Sequence, residues 1–321
     1  MTKELSWYCS DYDPAVFLKK WSDGTWAMVG FWVDDATSVG YRDRLLQLED
    51  AFQKRFRISG QNDAHWILGS GISCDFHSHH VYISQKYYIQ DIAAKFNMLN
   101  SKPIQSPVPL GIDVTTLPYG NTDKGEMEKV PYRELIGSLM FAATVLRPDI
   151  AFSVNKLAQY TANPSRTHWT LAKRILQFLY HTCDWSLKLG GKSTILYAYS
   201  DADFAGNTGD RKSTGGYAIF IGDGAVSWSS KKQSMVTLSS TESEYIQLSE
   251  TAREIVWMRN YLRETNLDEF ILLLNHPTTI YEDNQGTIDF VESHKAIRRM
   301  KHIDVKFHHV KALVEDKTIV I

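Results

Sequence analysis

Ala198-Tyr-Ser-Asp-Ala-Asp-Phe-Ala-Gly206, with Asp210-Arg-Lys-Ser-Thr-Gly-Gly-Tyr217 close behind it, decides how this chain is read. The first segment has strand character, brings Asp201 to the strand's end, and turns back through a glycine-containing loop. By period-2 alternation Asp201 shares a face with Ile195, Tyr197 and Tyr199, so its charge lines a cleft instead of entering the core. Two more acidic positions follow: Glu244 in Ser239-Ser-Thr-Glu-Ser-Glu-Tyr245 and Asp283 in Thr279-Ile-Tyr-Glu-Asp-Asn-Gln285. Carboxylates after one strand, at a helix start and after a second strand can converge on a divalent metal pair. Hard oxygen donors of this kind suit Mg2+, with Mn2+ as its substitute.

Glu244 has a structural competitor. Thr241-Glu-Ser-Glu244 fits the capping-box spacing, but Ser239-Ser-Thr-Glu242 fits it equally well, so Glu242 can supply the cap. Helix phase aligns Glu244 with Leu248, Ala252, Ile255 and Leu262, the stripe that should face the sheet. A glutamate heading a buried stripe calls for a cation. Asp283 follows the short strand Thr278-Thr-Ile-Tyr281, and alternation sends its neighbour Glu282 to the opposite face.

Outward from this region, 321 residues with ordinary apolar and charged fractions suit an ordered chain of two or three domains. A net charge of −2 restricts any nucleic-acid footprint to local patches. Three well-separated cysteines without a Cys-x-x-Cys pair suit a reducing, intracellular setting, cytoplasmic or nuclear. No signal core or membrane-length apolar run is present, so a soluble chain is expected.

At the front, Trp26-Ala-Met-Val-Gly-Phe-Trp-Val33 reads as a strand buried on both faces, ending in Asp34-Asp35. Helical spacing follows over Arg42–Phe56, a hairpin over Trp66–Ile72 and Val81–Ser84, and a second helix over Tyr87–Phe96. Residues 107–131 read as a linker. Helical periodicity returns over Tyr132–Tyr160, broken near Arg147-Pro148, and again from Thr167 to His181. Cys183–Ser193, with Gly190-Gly191, is the best domain boundary. The Cys74, His77, His79 and His80 cluster at the hairpin tip has zinc-type side chains but no second ligand group.

The motifs around Asp201, Glu244 and Asp283 closely resemble the ribonuclease H domain of copia-type LTR retrotransposon polyproteins. The Asp34-Asp35 turn resembles the Tyr-x-Asp-Asp turn of the same family's reverse transcriptase, with Trp32 in place of tyrosine. Asp11-Tyr-Asp-Pro, Ile83-Ser-Gln-Lys-Tyr-Tyr-Ile89, Tyr132-Arg-Glu-Leu-Ile-Gly-Ser-Leu-Met140 and Arg147-Pro-Asp-Ile-Ala151 extend the resemblance over nearly the whole chain. It implies an α+β, mixed α/β architecture. Residues 1–110 would be a partial reverse transcriptase palm, 111–190 a linker and helical thumb or connection, and 191–321 a C-terminally incomplete ribonuclease H-like domain.

The resemblance further implies Mg2+ (or Mn2+) held by Asp201, Glu244 and Asp283, and metal-dependent hydrolysis of RNA in RNA–DNA hybrids. Asp34 and Asp35 match metal-binding positions of the polymerase, but too few residues precede them for the palm's other aspartate, so polymerase activity is not expected. The family's fourth nuclease carboxylate would fall beyond Ile321, so weak activity or an inactive, nucleic-acid-binding remnant is the alternative. Expected partners are an RNA–DNA hybrid or other nucleic acid, and the missing part of the polymerase or another chain, with no membrane. Arg298, Arg299, Lys301 and Lys306, in a basic segment of helical spacing, are candidate phosphate contacts. Arg211 and Lys212 are further candidates, as are His168, Lys173 and Arg174 on the helix resembling the thumb.

Overall fold

Alternation in the run beginning at Trp26 sets up the front of the molecule. The computed structural model describes residues 6–58, 63–109, 111–112, 124–191, 193, 195–207, 209–267, 273–292 and 304–321. Strands β1 (Tyr8–Cys9), β2 (Val16–Lys20), β3 (Trp26–Trp32) and β4 (Asp35–Gly40) form an antiparallel meander. Helix α1 (Arg42–Gln53) covers one side of it, where Trp7, Ala27, Val29 and Leu48 make a small core. On the other side Trp26, Met28 and Gly30 are half-buried and Met28 Sδ accepts from the Tyr261 hydroxyl at 3.8 Å, while Trp32 at the strand's end is 65% exposed. Strand β3 is therefore buried on one face and partly covered on the other.

A second sheet is built from β5 (Trp66–Ile67), β6 (Ser70–Asp75), β7 (His80–Ser84) and β8 (Leu187–Gly190). The segment read as a domain boundary thus contains a strand. Leu187 and Leu189 alternate with Lys188 and Gly190, and β8 pairs antiparallel with β7. A bridge from Gly190 to Gly222 joins this sheet to the next.

Between these strands runs a helical unit of α2 (Lys86–Lys95), the short α3 (Lys124–Met127), α4 (Tyr132–Val145), α5 (Ala151–Ala158) and α6 (Arg166–His181). Leu135, Leu139, Val154, Ile175 and Leu179 lie at its centre. The expected break falls at a single 3-10 turn, Pro148–Ile150. Buried Arg147 secures that break, donating to both Asp149 carboxylate oxygens at 2.9 and 2.7 Å and to the Thr182 hydroxyl at 2.7 Å. The start of α6 is a capping box in which the Ser165 N–H donates to His168 Nδ1 at 2.8 Å. His168 is fully buried and stacks on Tyr160, and burial pushes its pKa down to about 4. It is a neutral cap, not a phosphate contact.

The third sheet holds the candidate site. Its order is β11 (Gly224–Lys232), β10 (Thr214–Ile221), β9 (Leu196–Asp203), β12 (Thr278–Tyr281), β13 (Ile319–Val320). Strands β9, β10 and β11 are antiparallel, whereas β12 runs parallel to β9 and β13 parallel to β12. Helix α7 (Ser240–Thr265) covers one face, packing Leu248, Ala252 and Ile255 against Ala198, Ile219 and Ile280. Helices α8 (Gln285–Glu292) and α9 (Asp304–Glu315) join that core through Phe290 and Val310. On the other face, Tyr197 stacks on Phe220 and Tyr199 on Tyr281, each pair at 5.0 Å between ring centres.

Polar contacts tie the units together. Trp228 Nε1 donates to the Ala143 carbonyl at 2.8 Å, and Asn207 Nδ2 to Gln159 Oε1 at 2.9 Å. At the far end of α7, the Glu264 carboxylate accepts from the Tyr8 hydroxyl (2.8 Å), the Ser10 hydroxyl (2.5 Å) and the Asp11 N–H (2.6 Å). Among the described residues, no helix is long and apolar enough to cross a membrane.

Candidate metal centre

Asp201, Glu244 and Asp283 each present a carboxylate oxygen within 4.8 Å of the others. Three local devices bring them together. The first is the cap of α7: Ser239 Oγ accepts from the Glu242 N–H at 3.2 Å, and Glu242 Oε2 accepts from the Leu238 N–H at 2.7 Å. Glu242 therefore closes the helix end, leaving Glu244 for the cluster. The second device is Gly215 on β10, whose bare Cα leaves room for the Gln247 side chain of α7, one turn beyond Glu244. Thr251 continues that contact, donating to Ser200 Oγ at 3.2 Å. The third is Asn284, whose Oδ1 accepts from the Thr287 N–H at 3.0 Å at the start of α8 and from Thr241 Oγ1 at 3.4 Å. The first turns of α7 and α8 are thereby linked, which fixes Asp283 beside Glu244.

Burial and mutual repulsion dominate the electrostatics. Glu244 is only 5% exposed. Desolvation, then the charges of Glu282, Asp201 and Asp283, push its pKa up to about 8. Desolvation and the Asp283 charge likewise raise Asp201. Glu282 is pushed up to about 7, chiefly by burial. Both Glu244 and Glu282 have a buried carboxylate oxygen, Oε2, without a hydrogen-bond partner. The orphaned, buried oxygen of Glu244 beside the exposed carboxylates of Asp201 and Asp283 fits a hard divalent cation such as Mg2+.

Glu282, which alternation sends to the face opposite Asp283, does not join the group of Asp201, Glu244 and Asp283.

The other sequence candidates lie apart. Asp34 occupies the two-residue turn between β3 and β4, and Asp35 opens β4; both are exposed. Among the described residues, neither they nor the Cys74–His80 tip belongs to a cluster of metal-type ligands. On α6, Lys173 lies over the Trp169 ring at 5.5 Å, and Arg174 is half-buried. Arg211 is exposed in the loop after β9, whereas Lys212 donates to the Ser234 carbonyl at 2.7 Å. Arg298, Arg299 and Lys301 lie outside the described residues, and Lys306 is described only as a backbone position on α9.

No protein-family model matches the chain. Among individual proteins, it is 36% identical over 310 residues to the retrovirus-related Pol polyprotein from transposon TNT 1-94 of Nicotiana tabacum, covering 96% of this chain and 23% of that one. It is also 36% identical over 286 residues to the corresponding polyprotein from transposon RE2 of Arabidopsis thaliana, covering 88% of this chain and 19% of the relative. The uncharacterized mitochondrial protein AtMg00810 of Arabidopsis thaliana is 33% identical over 230 residues, which cover 70% of this chain and 92% of the relative. The chain spans about a fifth of the length of the two polyproteins. With the similarity running along nearly its whole length, the chain belongs to the retrovirus-related Pol polyproteins of copia-type transposons and corresponds to one stretch of them.

Proposed function

We propose that residues 191–321 form a ribonuclease H-type nuclease that hydrolyses the RNA strand of RNA–DNA hybrids. The observation that carries this reading is the convergence of Asp201, Glu244 and Asp283, with Glu244 buried and one of its oxygens unpartnered. A bound Mg2+ pair would supply an activated water and charge neutralisation at the leaving oxygen. The chain's own part is to hold the three carboxylates in register through β9, the cap of α7 and the Asn284 link. Their repulsion keeps protons on the cluster until a cation replaces them. Exposed Arg211, on the loop that follows β9, is a candidate phosphate contact. The 2′-hydroxyls of the RNA strand are the feature by which a hybrid is told from duplex DNA.

In the same reading, residues 1–110 are a partial palm carrying the Asp34-Asp35 turn, and residues 111–190 a linker and thumb-like helical unit. Asp34 and Asp35 stand without a third carboxylate among the described residues, which favours a front part that does not polymerise by itself. The test is Mg2+-dependent cleavage of a labelled hybrid by the full chain, beside Asp201→Asn. Cleavage by the parent and none by the variant supports the reading, and equal cleavage by both removes the site. Hybrid binding without cleavage by the parent would favour the alternative, a nucleic-acid-binding remnant.

A further inference from the structure

We propose that Gln159, the residue closing α5 in the helical unit, is a positioning residue for nucleic-acid binding. Through Asn207 it holds the loop after β9 so that Arg211 is presented to a phosphate; this rests on the reading of residues 191–321 as a nuclease acting on a hybrid. The loop leaves β9 at Asp203, two residues past Asp201, and returns at Thr214. Asn207 is its hub and is 6% exposed. Its N–H donates to the Lys212 carbonyl at 3.2 Å, and its carbonyl accepts from the Arg211 N–H at 2.8 Å. Its side-chain Oδ1 accepts from the N–H groups of Gly209 at 2.9 Å and Asp210 at 3.3 Å. These two donors fix the orientation of the amide, so Nδ2 is the group left for a partner outside the loop. That partner is Gln159 Oε1, at 2.9 Å.

The hub holds a strained residue with an uncommitted charge. Arg211 has φ +56°, in the left-handed region that a non-glycine residue keeps only where its surroundings hold it. The neighbouring cations are engaged: Lys212 donates to the Ser234 carbonyl at 2.7 Å, and Lys232 pairs with Asp210 at 2.7 Å. Arg211 is exposed, and among the described residues its guanidinium pairs with no carboxylate. A planar fork of donors in that state suits a phosphate. On the other side of the contact, Gln159 Nε2 is buried without a hydrogen-bond partner. Gln159 thus turns its oxygen to Asn207 although its own amide donor stays unsatisfied, an unfavourable arrangement unless that acceptor is needed. The same helix touches the start of the loop as well, with Lys156 Nζ 3.5 Å from Asp203 Oδ2.

The experiment measures binding of a labelled RNA–DNA hybrid to the full chain in EDTA over a salt series, beside the rate of trypsin cleavage after Arg211. Gln159→Met keeps the length of the side chain but cannot accept from Asn207, whereas Gln159→Glu keeps an acceptor. Arg211→Ala is expected to flatten the salt dependence by about one phosphate contact. Gln159→Met should speed cleavage after Arg211 and weaken hybrid binding about two- to tenfold, the worth of one hydrogen bond. It should add nothing to Arg211→Ala in the double variant, because both act on one contact. Gln159→Glu should keep most of the parent's affinity and trypsin resistance. Unchanged binding or cleavage in Gln159→Met, or parent-like binding in Arg211→Ala, would overturn the proposal. Losses that add in the double variant would overturn it too, and equal losses in the Met and Glu variants would mark a packing defect and do the same. In each of these cases hybrid binding by the parent leaves the nuclease reading standing. A parent chain that binds no hybrid, with or without Mg2+, would overturn this proposal and that reading together.

Discussion

Tyr199 and Tyr281 face each other in register on neighbouring parallel strands, their rings stacked 5.0 Å apart, and each stands two residues before a carboxylate of the cluster. The stack therefore fixes the spacing of β9 and β12 at the end where Asp201 and Asp283 emerge. Both rings are half exposed on the sheet face opposite α7.

Replacing Tyr199 and Tyr281 by alanine, singly and together, should reveal a coupling of about 0.5–1.5 kcal/mol in urea unfolding, the usual worth of an aromatic pair beyond its burial. Strictly additive losses would mean that the rings pack independently.

Glu244 sets the pH dependence of the metal-free protein. Its folded pKa, about 8, lies above the ordinary 4.5, so between these values the folded form keeps a proton that the unfolded chain releases. The associated loss of stability is absent below about pH 4.5, grows as pH rises, and is complete above about pH 8. In EDTA, Tm should fall from pH 5 to pH 8, and Glu244→Gln should flatten the slope. Divalent-cation affinity should rise over the same window, since binding displaces the proton.

Lys156 on α5 is 2% exposed, with Nζ 3.5 Å from Asp203 Oδ2 at the end of β9. The lysine end of the pair is buried while the Asp203 side chain is 44% exposed, and burying a charge for such a pair seldom stabilises more than apolar packing of equal volume. Lys156→Met should therefore match or exceed the parent in denaturant unfolding. Lys156→Ala should lose about 2–5 kcal/mol by leaving a cavity. A large loss in the methionine variant would show that the charge itself is needed.

Glu264→Ala removes the acceptor for Tyr8, Ser10 and the Asp11 N–H. About 1 kcal/mol of global stability should go with it. Limited trypsin digestion should then cut sooner at Lys19 and Lys20 in the front sheet, with the α7 core intact. An unchanged digestion pattern would assign the attachment of that sheet to other contacts.

What the sequence disclosed follows from how local each feature is. Glu242 and Glu244 could be separated because cap spacing and helix phase are set within one element, and the structure agrees with both. The helix break at Arg147-Pro148 and the start of α6 were legible for the same reason. Strand β8 was not, because two alternating leucines are a weak signal until β7 supplies the partner. How far the second face of β3 is covered is a tertiary property that no apolar run encodes. His168 carries the side chain of a surface base, and only the Ser165 contact and Tyr160 stack reveal its neutral, buried role.

Helix α7 bears Glu244 in its second turn and Glu264 in its last, residues about 30 Å apart along a single rod. The front hairpin and the carboxylate cluster are thus geared to one shaft. Inserting one residue midway would turn Glu264 by about 100° against Glu244 and swing its partners out of mesh. Seven inserted residues would lengthen the shaft by about 10 Å and nearly restore its phase. The number of residues inserted thus sets rotation and separation together, and insertions near a whole number of turns change the separation alone.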